Sequence, residues 1–372
     1  MKSEQNENPP TANPSSRRLL ICTQSIDRDD PIAGFFYTWV CEFAKHCEKI
    51  TVIALSGTGA EHLPKNVQVI SLEKERHASK FRQLYLFYRA IIKYHHEYDT
   101  VFVHNVGPKL IILGAPFWRA ARKKIFLWYV HRQVHIPLKL ALKMVKKVFT
   151  SAPESMRVKT DKVLYVGHGI DLTRFKSITP TTTTTTTSSE PFKVIHLGRI
   201  APIKNIDTLV ETARLLQNTG AYEFHLYGTS ITEAEHEYKK KIEKKIIQYG
   251  LTNTFHLHGT VSPTDVPNIF KNAAVSVNLT PTGGMDKAVI ESMAAGVPTL
   301  ISNEAFATSF GTDWNALHVT YRDPRSLAEK IETLRALSQD DFTTLQAAVR
   351  TKAEQFDLSH LIQNLVKEMY VI

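Results

Sequence analysis

Cysteine is scarce: 372 residues hold 3, and Cys22, Cys41 and Cys47 crowd near one end. That excludes a disulfide framework, and no Cys/His group has the spacing of a zinc site. A reducing compartment fits such usage. Long apolar runs are also missing. The longest candidate, Leu110 to Trp118, has half the roughly 18 to 20 residues a spanning helix needs, so no membrane crossing is expected. Residues 1–17 are rich in Ser, Asn, Pro and Glu and lack an apolar stretch. They read as a disordered tail rather than a signal peptide, with the chain expected in the cytoplasm. With 16 Gly, 17 Pro and 22% charged residues, the composition excludes collagen-like, coiled-coil and wholly disordered chains.

What is present is a chain long enough for two domains at roughly 150 residues each. The net charge of +10 is unevenly spread. Residues 1–178 carry 28 Lys/Arg against 15 Asp/Glu, and the remainder carries 18 against 21. The basic half suits nucleic acid, an anionic membrane face or a phosphorylated substrate, and charge alone does not choose among them. Near the switch of sign lies a Thr-rich segment, 179–191, with nothing to bury, which reads as a linker.

On both sides of that linker, short β-branched or aromatic runs alternate with longer amphipathic segments, the pattern of βαβ units and parallel sheets. The strand candidates before it are 18–24, 50–56, 67–72, 100–105, 124–131 and 147–152. Those after it are 192–198, 223–228, 254–259, 274–280 and 297–302. Two Rossmann-like α/β domains facing across a cleft are expected: 18–178, then 192–355, with 356–372 a helix that packs back on one of them. Ligands of open parallel sheets sit beyond the carboxyl ends of the strands, where helix N-termini offer free N–H groups.

Two such loops carry chemistry. The first runs from His196 to Asn205, between a strand and a helix whose Ile206, Leu209, Val210, Ala213 and Leu216 fall at helical spacing. Gly198 ends the strand, and Arg199 and Lys204 supply two cations suited to a diphosphate; a solvated surface pair is the competing account. The second runs from Asn278 to Pro298 and has a turn at Gly283 and Gly284, then a helix ending at Gly296. The N–H groups of Met285, Asp286 and Lys287 would open that helix towards phosphate or sugar oxygens, and Glu291 could accept two ribose hydroxyl protons. An ordinary amphipathic helix with a surface glutamate is the alternative.

Together the GR-x4-K loop and the helix ending ES-MAAG-VP resemble the nucleotide-sugar-binding domain of glycosyltransferase family 4, over residues 192–335. The resemblance implies a GT-B fold and a retaining enzyme that needs no metal and no cofactor beyond its nucleoside-diphosphate sugar donor. It also implies that Arg199 and Lys204 are diphosphate ligands and that Glu291 is the ribose ligand. The family usually has a second glutamate eight positions earlier, contacting the donor sugar, and Gly283 stands there instead. The segment Val166 to Phe175 resembles the one that leads into the interdomain connection. His131 matches a histidine near the donor sugar, with His104 a second candidate and a structural histidine the competing account. Gly34 matches a glycine loop facing donor and acceptor.

Three further features stand apart from that resemblance. The Asp-x-Asp pattern at Asp27 to Asp29 is discounted as a metal motif, and the SGTG run Ser56 to Gly59 is half a dinucleotide fingerprint. Between Arg119 and Lys147 lie nine Lys/Arg and no acid, with Lys139, Lys143, Lys146 and Lys147 expected along one helical face and Leu138, Leu142 and Val145 along another. That face suits an anionic membrane surface, and nucleic acid is disfavoured because no reading motif accompanies the charge. The expected function is transfer of a sugar to a lipid-linked or other glycan acceptor in cell-surface assembly. The alternatives are a nucleotide-sugar epimerase of the same fold and a catalytically silent nucleotide- or sugar-binding protein.

Overall fold

A computed structural model describes residues 16–28, 30, 34–104, 107–158, 160–179, 190–219 and 221–370. Most of the expected tail, Asp29, Asn105 and the Thr-rich segment 180–189 lie outside the described residues.

Strands β1 (Arg18–Ser25), β2 (Lys49–Ser56), β3 (Val67–Ser71), β4 (Thr100–His104), β5 (Lys124–Trp128), β6 (Lys147–Thr150) and β7 (Val163–Tyr165) form a 7-stranded sheet in the order β3-β2-β1-β4-β5-β6-β7. A 5-stranded sheet is built from β8 (Phe192–Leu197), β9 (Tyr222–Tyr227), β10 (Phe255–Gly259), β11 (Val275–Asn278) and β12 (Thr299–Ile301), in the order β10-β9-β8-β11-β12. All pairings within both sheets are parallel. Helices α1 (Phe35–Ala44), α2 (Lys80–Lys93), α3 (Pro108–Ala120) and α4 (Ile136–Met144) flank the first sheet. The second half carries α5 (Ile206–Leu216), α6 (Glu233–Gln248), α7 (Val266–Lys271), α8 (Lys287–Ala294), α9 (Ala307–Phe310), α10 (Trp314–Leu317), α11 (Pro324–Arg335), α12 (Gln339–Ala353) and α13 (Leu358–Tyr370). This is the two-lobed, Rossmann-like α/β architecture of the GT-B fold.

Strands buried on both faces read as continuous apolar runs, and β1 shows why. Leu19 and Ile21 enter a core with α1 and α13, while Leu20 and Cys22 enter a second core with Phe87 of α2, Trp118 of α3 and Leu138 of α4. The three cysteines are free thiols. The sequence pattern missed β7, whose three residues are too short for a period-two signal.

The lobes exchange chain at two adjacent points. Ile170, Phe175 and Ile178 already belong to the core of the second lobe, ahead of the boundary expected after 178. Ile170 bridges Asp357, and immediately afterwards α13 returns to the first lobe, burying Leu361, Ile362, Leu365, Val366 and Met369 beside α1. Gly169 sits at this crossing, where an added Cβ would lie 2.9 Å from Leu361 Cδ2. Among the described residues, no helix is long and apolar enough to cross a membrane.

Candidate active site

A cleft of about 540 Å³ opens at the carboxyl ends of β8, β9 and β10. Its wall brings together Gly198, Arg199, Lys204, Asp286, Lys287 and Glu291 from the second lobe, with Phe35 and His168 from the other side. The β8 loop takes its shape from close backbone approach: an added Cβ on Gly228 would lie 1.9 Å from the Gly198 carbonyl oxygen. Asn205 then adopts a left-handed conformation and starts α5, its side-chain amide donating to the Leu279 carbonyl at 2.7 Å.

Each cation in the cleft has a carboxylate partner. Arg199 Nη1 donates to Glu235 Oε1 at 2.7 Å, and Lys204 pairs with Asp286 Oδ2. Lys287 Nζ lies 3.2 Å from Glu291 Oε1 and also sits 5.6 Å above the Phe35 ring. The sequence suggests Arg199 and Lys204 as diphosphate ligands; the structure adds the carboxylates Glu235 and Asp286, which reach them from distant parts of the chain. The two pairs differ in mobility. The Arg199 side chain is 47% exposed, whereas that of Lys204 is 13% exposed and locked from below.

Asp286 lines the cleft and also anchors the start of α8 through its side chain. It caps α8, its Oδ1 accepting from Ala288 N at 3.4 Å while Asn278 Nδ2 donates to Oδ2 at 3.0 Å. Burial by itself pushes this carboxyl up, but the Lys204 ammonium and the hydrogen bonds from Lys204, Asn278 and Ala288 outweigh it and hold the group well below the usual carboxylate range. Glu291, almost fully buried one turn into α8, faces the cleft beside Lys287.

Gly283 and Gly284 do not line the cleft. They turn towards the first lobe, where Arg132 donates to the Thr282 carbonyl and Asn303 fastens the loop at both Gly283 N and Gly284 O. A Cβ on Gly283 would meet Arg132 Cδ at 3.0 Å, so Arg132 occupies the space that a side chain at this position would need. Met285 packs against the core of the second lobe. Gly34 is likewise a packing glycine, since a Cβ there would lie 2.5 Å from the carbonyl oxygens of both Arg28 and Asp30. The residue after it, Phe35, is the one that reaches the cleft.

His131 lies elsewhere. Strand β5 stops at Trp128, short of the expected 131, and the chain turns with Tyr129 Oη donating to Gln133 O at 2.7 Å. His131 therefore lines a separate cavity of about 260 Å³ with Gly107, Pro108 and His135, at the ends of β4 and β5. His104 is a core residue, stacked on Phe36 at 3.7 Å. Asp27 accepts from Thr58 at 3.0 Å, tying the Asp-x-Asp and SGTG loops to each other.

Two histidines that carried no assignment bear on the cleft, His168 in its wall and His196 buried below it. His168, in the Val166 to Phe175 segment, is held neutral at about 4 by burial and by Lys287, against the hydrogen bond to Gly169 O and the charge of Asp286. His196 lies beneath the Gly198 turn and is likewise pushed down to about 4, by burial and Lys204. Its Nδ1 faces the Val277 carbonyl at 3.1 Å and must carry the proton, leaving Nε2 a buried acceptor with no partner among the described residues. A histidine two residues before a loop glycine was the available signal; its orientation was not.

The comparisons bear on the half that builds most of this cleft. Residues 183–354 match the family model described as Glycosyl transferases group 1. Mannosylfructose-phosphate synthase from Agrobacterium fabrum is 24% identical over 180 residues, 46% of this chain and 38% of that relative, so the match spans well under half of the relative's length. Among solved structures, Anabaena HepE in complex with UDP and glucose superposes with a TM-score of 0.76 at 18% identity, over 96% of this chain and 100% of that one. Sucrose-phosphate synthase from Thermosynechococcus elongatus gives 0.74 at 16% identity, over 95% and 100%. Residues 183–354 are therefore similar to the glycosyl transferases group 1, and the chain as a whole has the GT-B fold.

Proposed function

We propose that this chain moves a sugar from a nucleoside-diphosphate sugar to an acceptor hydroxyl, with retention at the anomeric carbon and without a metal at the leaving group. The observation that carries this reading is the meeting of Arg199, Lys204, the start of α8 and Glu291 on the wall of one cleft. As the bond between the anomeric carbon and the phosphate oxygen breaks, negative charge grows on the diphosphate. Preorganised cations and helix-terminal N–H groups stabilise that growth more than they stabilise the intact donor.

The ion pairs support different roles for the two cations. Arg199, half exposed and held by one carboxylate, exchanges Glu235 for phosphate oxygens when the donor arrives. Lys204 stays with Asp286 and acts as a fixed charge beneath the loop. Glu291 accepts ribose hydroxyls, and neutral His168 offers a ring nitrogen to the transferred sugar. The cavity lined by His131 takes the acceptor, and closure of the lobes excludes water. HepE has been seen with UDP and with UDP-glucose, which makes uridine diphosphate the first nucleotide to try. The basic first lobe favours a lipid-linked or anionic glycan acceptor, as in cell-surface assembly.

Titration calorimetry with UDP, GDP and ADP tests the site. One of them is expected to bind, and Arg199→Ala with Lys204→Ala is expected to weaken it roughly 100-fold or more, two charge-assisted contacts being lost. Unchanged affinity in the double variant would remove the assignment. Incubating the matching sugar nucleotide with a lipid extract then separates the alternatives: turnover without acceptor marks an epimerase, binding without transfer a silent binder. The anomeric configuration of the product, read by NMR, tests retention.

A further inference from the structure

Away from the cleft, the outer edge of the second sheet collects imidazoles. Along β9, Tyr222, Phe224 and Leu226 are buried, so Glu223, His225 and Tyr227 turn to the opposite face. Strand β10 pairs in parallel with His256 directly beside His225, and His258 follows two residues on. One sheet face therefore presents Glu223, His225, His256 and His258. His225 Nε2 lies 3.2 Å from Glu223 Oε2, and His225 Nδ1 lies 2.9 Å from His258 Nε2. The His225 and His256 rings are 4.9 Å apart. One ligand atom from each of Glu223, His225 and His256 falls within 4.8 Å of the others.

We propose that Glu223, His225 and His256 bind one divalent transition-metal ion such as Zn²⁺, with water as the fourth ligand and His258 holding the far ring nitrogen of His225. Imidazole and carboxylate donors suit zinc, nickel or copper rather than magnesium or calcium. Zinc bonds of about 2.0–2.2 Å in a tetrahedron place ligand atoms roughly 3.3 Å apart. The three ligand atoms lie within 4.8 Å of one another on half-buried side chains, so binding requires them to close to roughly 3.3 Å. Both strands supply ligands, so the ion would staple the edge strand β10 to β9. Tyr227 stacks on His258 at 4.3 Å and also lines the donor cleft, which sets the metal behind the cleft wall and outside the transfer chemistry. Spacing along the chain hides the group, since His225 and His258 are 33 positions apart; parallel pairing brings them together.

The test uses the full chain without an affinity tag, stripped with EDTA and titrated with ZnCl₂ by calorimetry, alongside thermal melts with and without zinc. One equivalent is expected to bind with a dissociation constant on the order of micromolar or tighter, with a rise in Tm. His225→Ala with His256→Ala is expected to abolish both effects, and Glu223→Gln, which keeps shape and hydrogen bonding, to weaken binding at least tenfold. Circular dichroism of the metal-free variants establishes that they fold, and Glu223→Gln carries the test where the double variant does not. Less than about 0.2 equivalents bound by the wild type at 100 µM zinc, a range far weaker than structural zinc sites, would overturn the proposal. So would undiminished binding in the folded variants.

Discussion

At the scale of single residues, the glycines divide by what their missing side chain leaves room for. Gly228 has φ +142, and the Gly198 carbonyl stands where its Cβ would be. Gly228→Ala must therefore push the β8 loop and carry Arg199 with it. The expected cost is about 2–4 kcal/mol of stability, from overpacking with an unfavourable backbone angle. Nucleoside-diphosphate affinity should fall with it, and thermal melts with calorimetry check both; a variant that melts and binds like the wild type would contradict the close approach. Gly283 is a different case, because its space is held by Arg132 from the other lobe. The absence of a glutamate there is legible in the sequence, but the arginine that fills the space is not.

At the scale of elements, α8 shows how a helix becomes part of a site. Asp286 caps its start, Lys287 and Glu291 pair along one face, and Gly296 ends it with φ +76. The stop at Gly296 was readable from residue type, whereas the capping by Asp286 and its partnership with Lys204, 82 positions away, were not. Helix α4 corrects an expectation. It ends at Met144 because Val145 turns to an extended conformation and Lys147 begins β6, so Lys146 and Lys147 leave the basic helical face. What remains pairs Lys139 and Lys143 with exposed apolar residues: Ile136 is 73% exposed and Leu140 41%. On α2, which packs on the same sheet face, Phe81 is 86% exposed. Apolar side chains beside cations suit insertion at an anionic lipid surface, at about 1 kcal/mol per cation. Wild-type protein is expected to sediment with vesicles rich in anionic lipid, less so in high salt, and Phe81→Ser with Ile136→Ser to remain in the supernatant. Wild-type protein left in the supernatant at low salt would rule out this membrane face.

At the scale of the whole molecule, buried imidazoles make stability depend on pH. His168 and His196 are lowered from 6.5 to about 4, and His104 is lowered well below 6.5, burial being the leading cause in each. Below pH 6.5 the unfolded chain binds protons that the folded one refuses, so stability is lost as pH falls towards 4. The slope is about 1.4 kcal/mol per pH unit for each such histidine. Carboxylates extend the loss to lower pH. Glu211 is pushed up by burial, but hydrogen bonds from Tyr249, Lys245 and Arg214 win and bring it from 4.5 to about 2, so its contribution is present above pH 4.5 and disappears below. The Tm is expected to hold near neutral pH and to fall as pH drops from about 6.5 towards 4, and a flat profile would mean that these rings titrate freely.

The alternation of apolar runs and amphipathic segments by itself determined two parallel α/β lobes. It located eleven of the twelve strands among the described residues, and placed Arg199 and Lys204 in one strand-to-helix loop and Glu291 in the helix after another. Local patterning suffices for that, because strand burial and helix spacing are periodic along the chain. Tertiary structure alone decided which carboxylates face those cations, that His168 rather than His131 lines the cleft, and that α13 closes the first lobe. It also decided that four residues of β9 and β10 share one face. Those facts depend on contacts between segments far apart in sequence, whose partners are chosen by packing and parallel register rather than by any residue's neighbours.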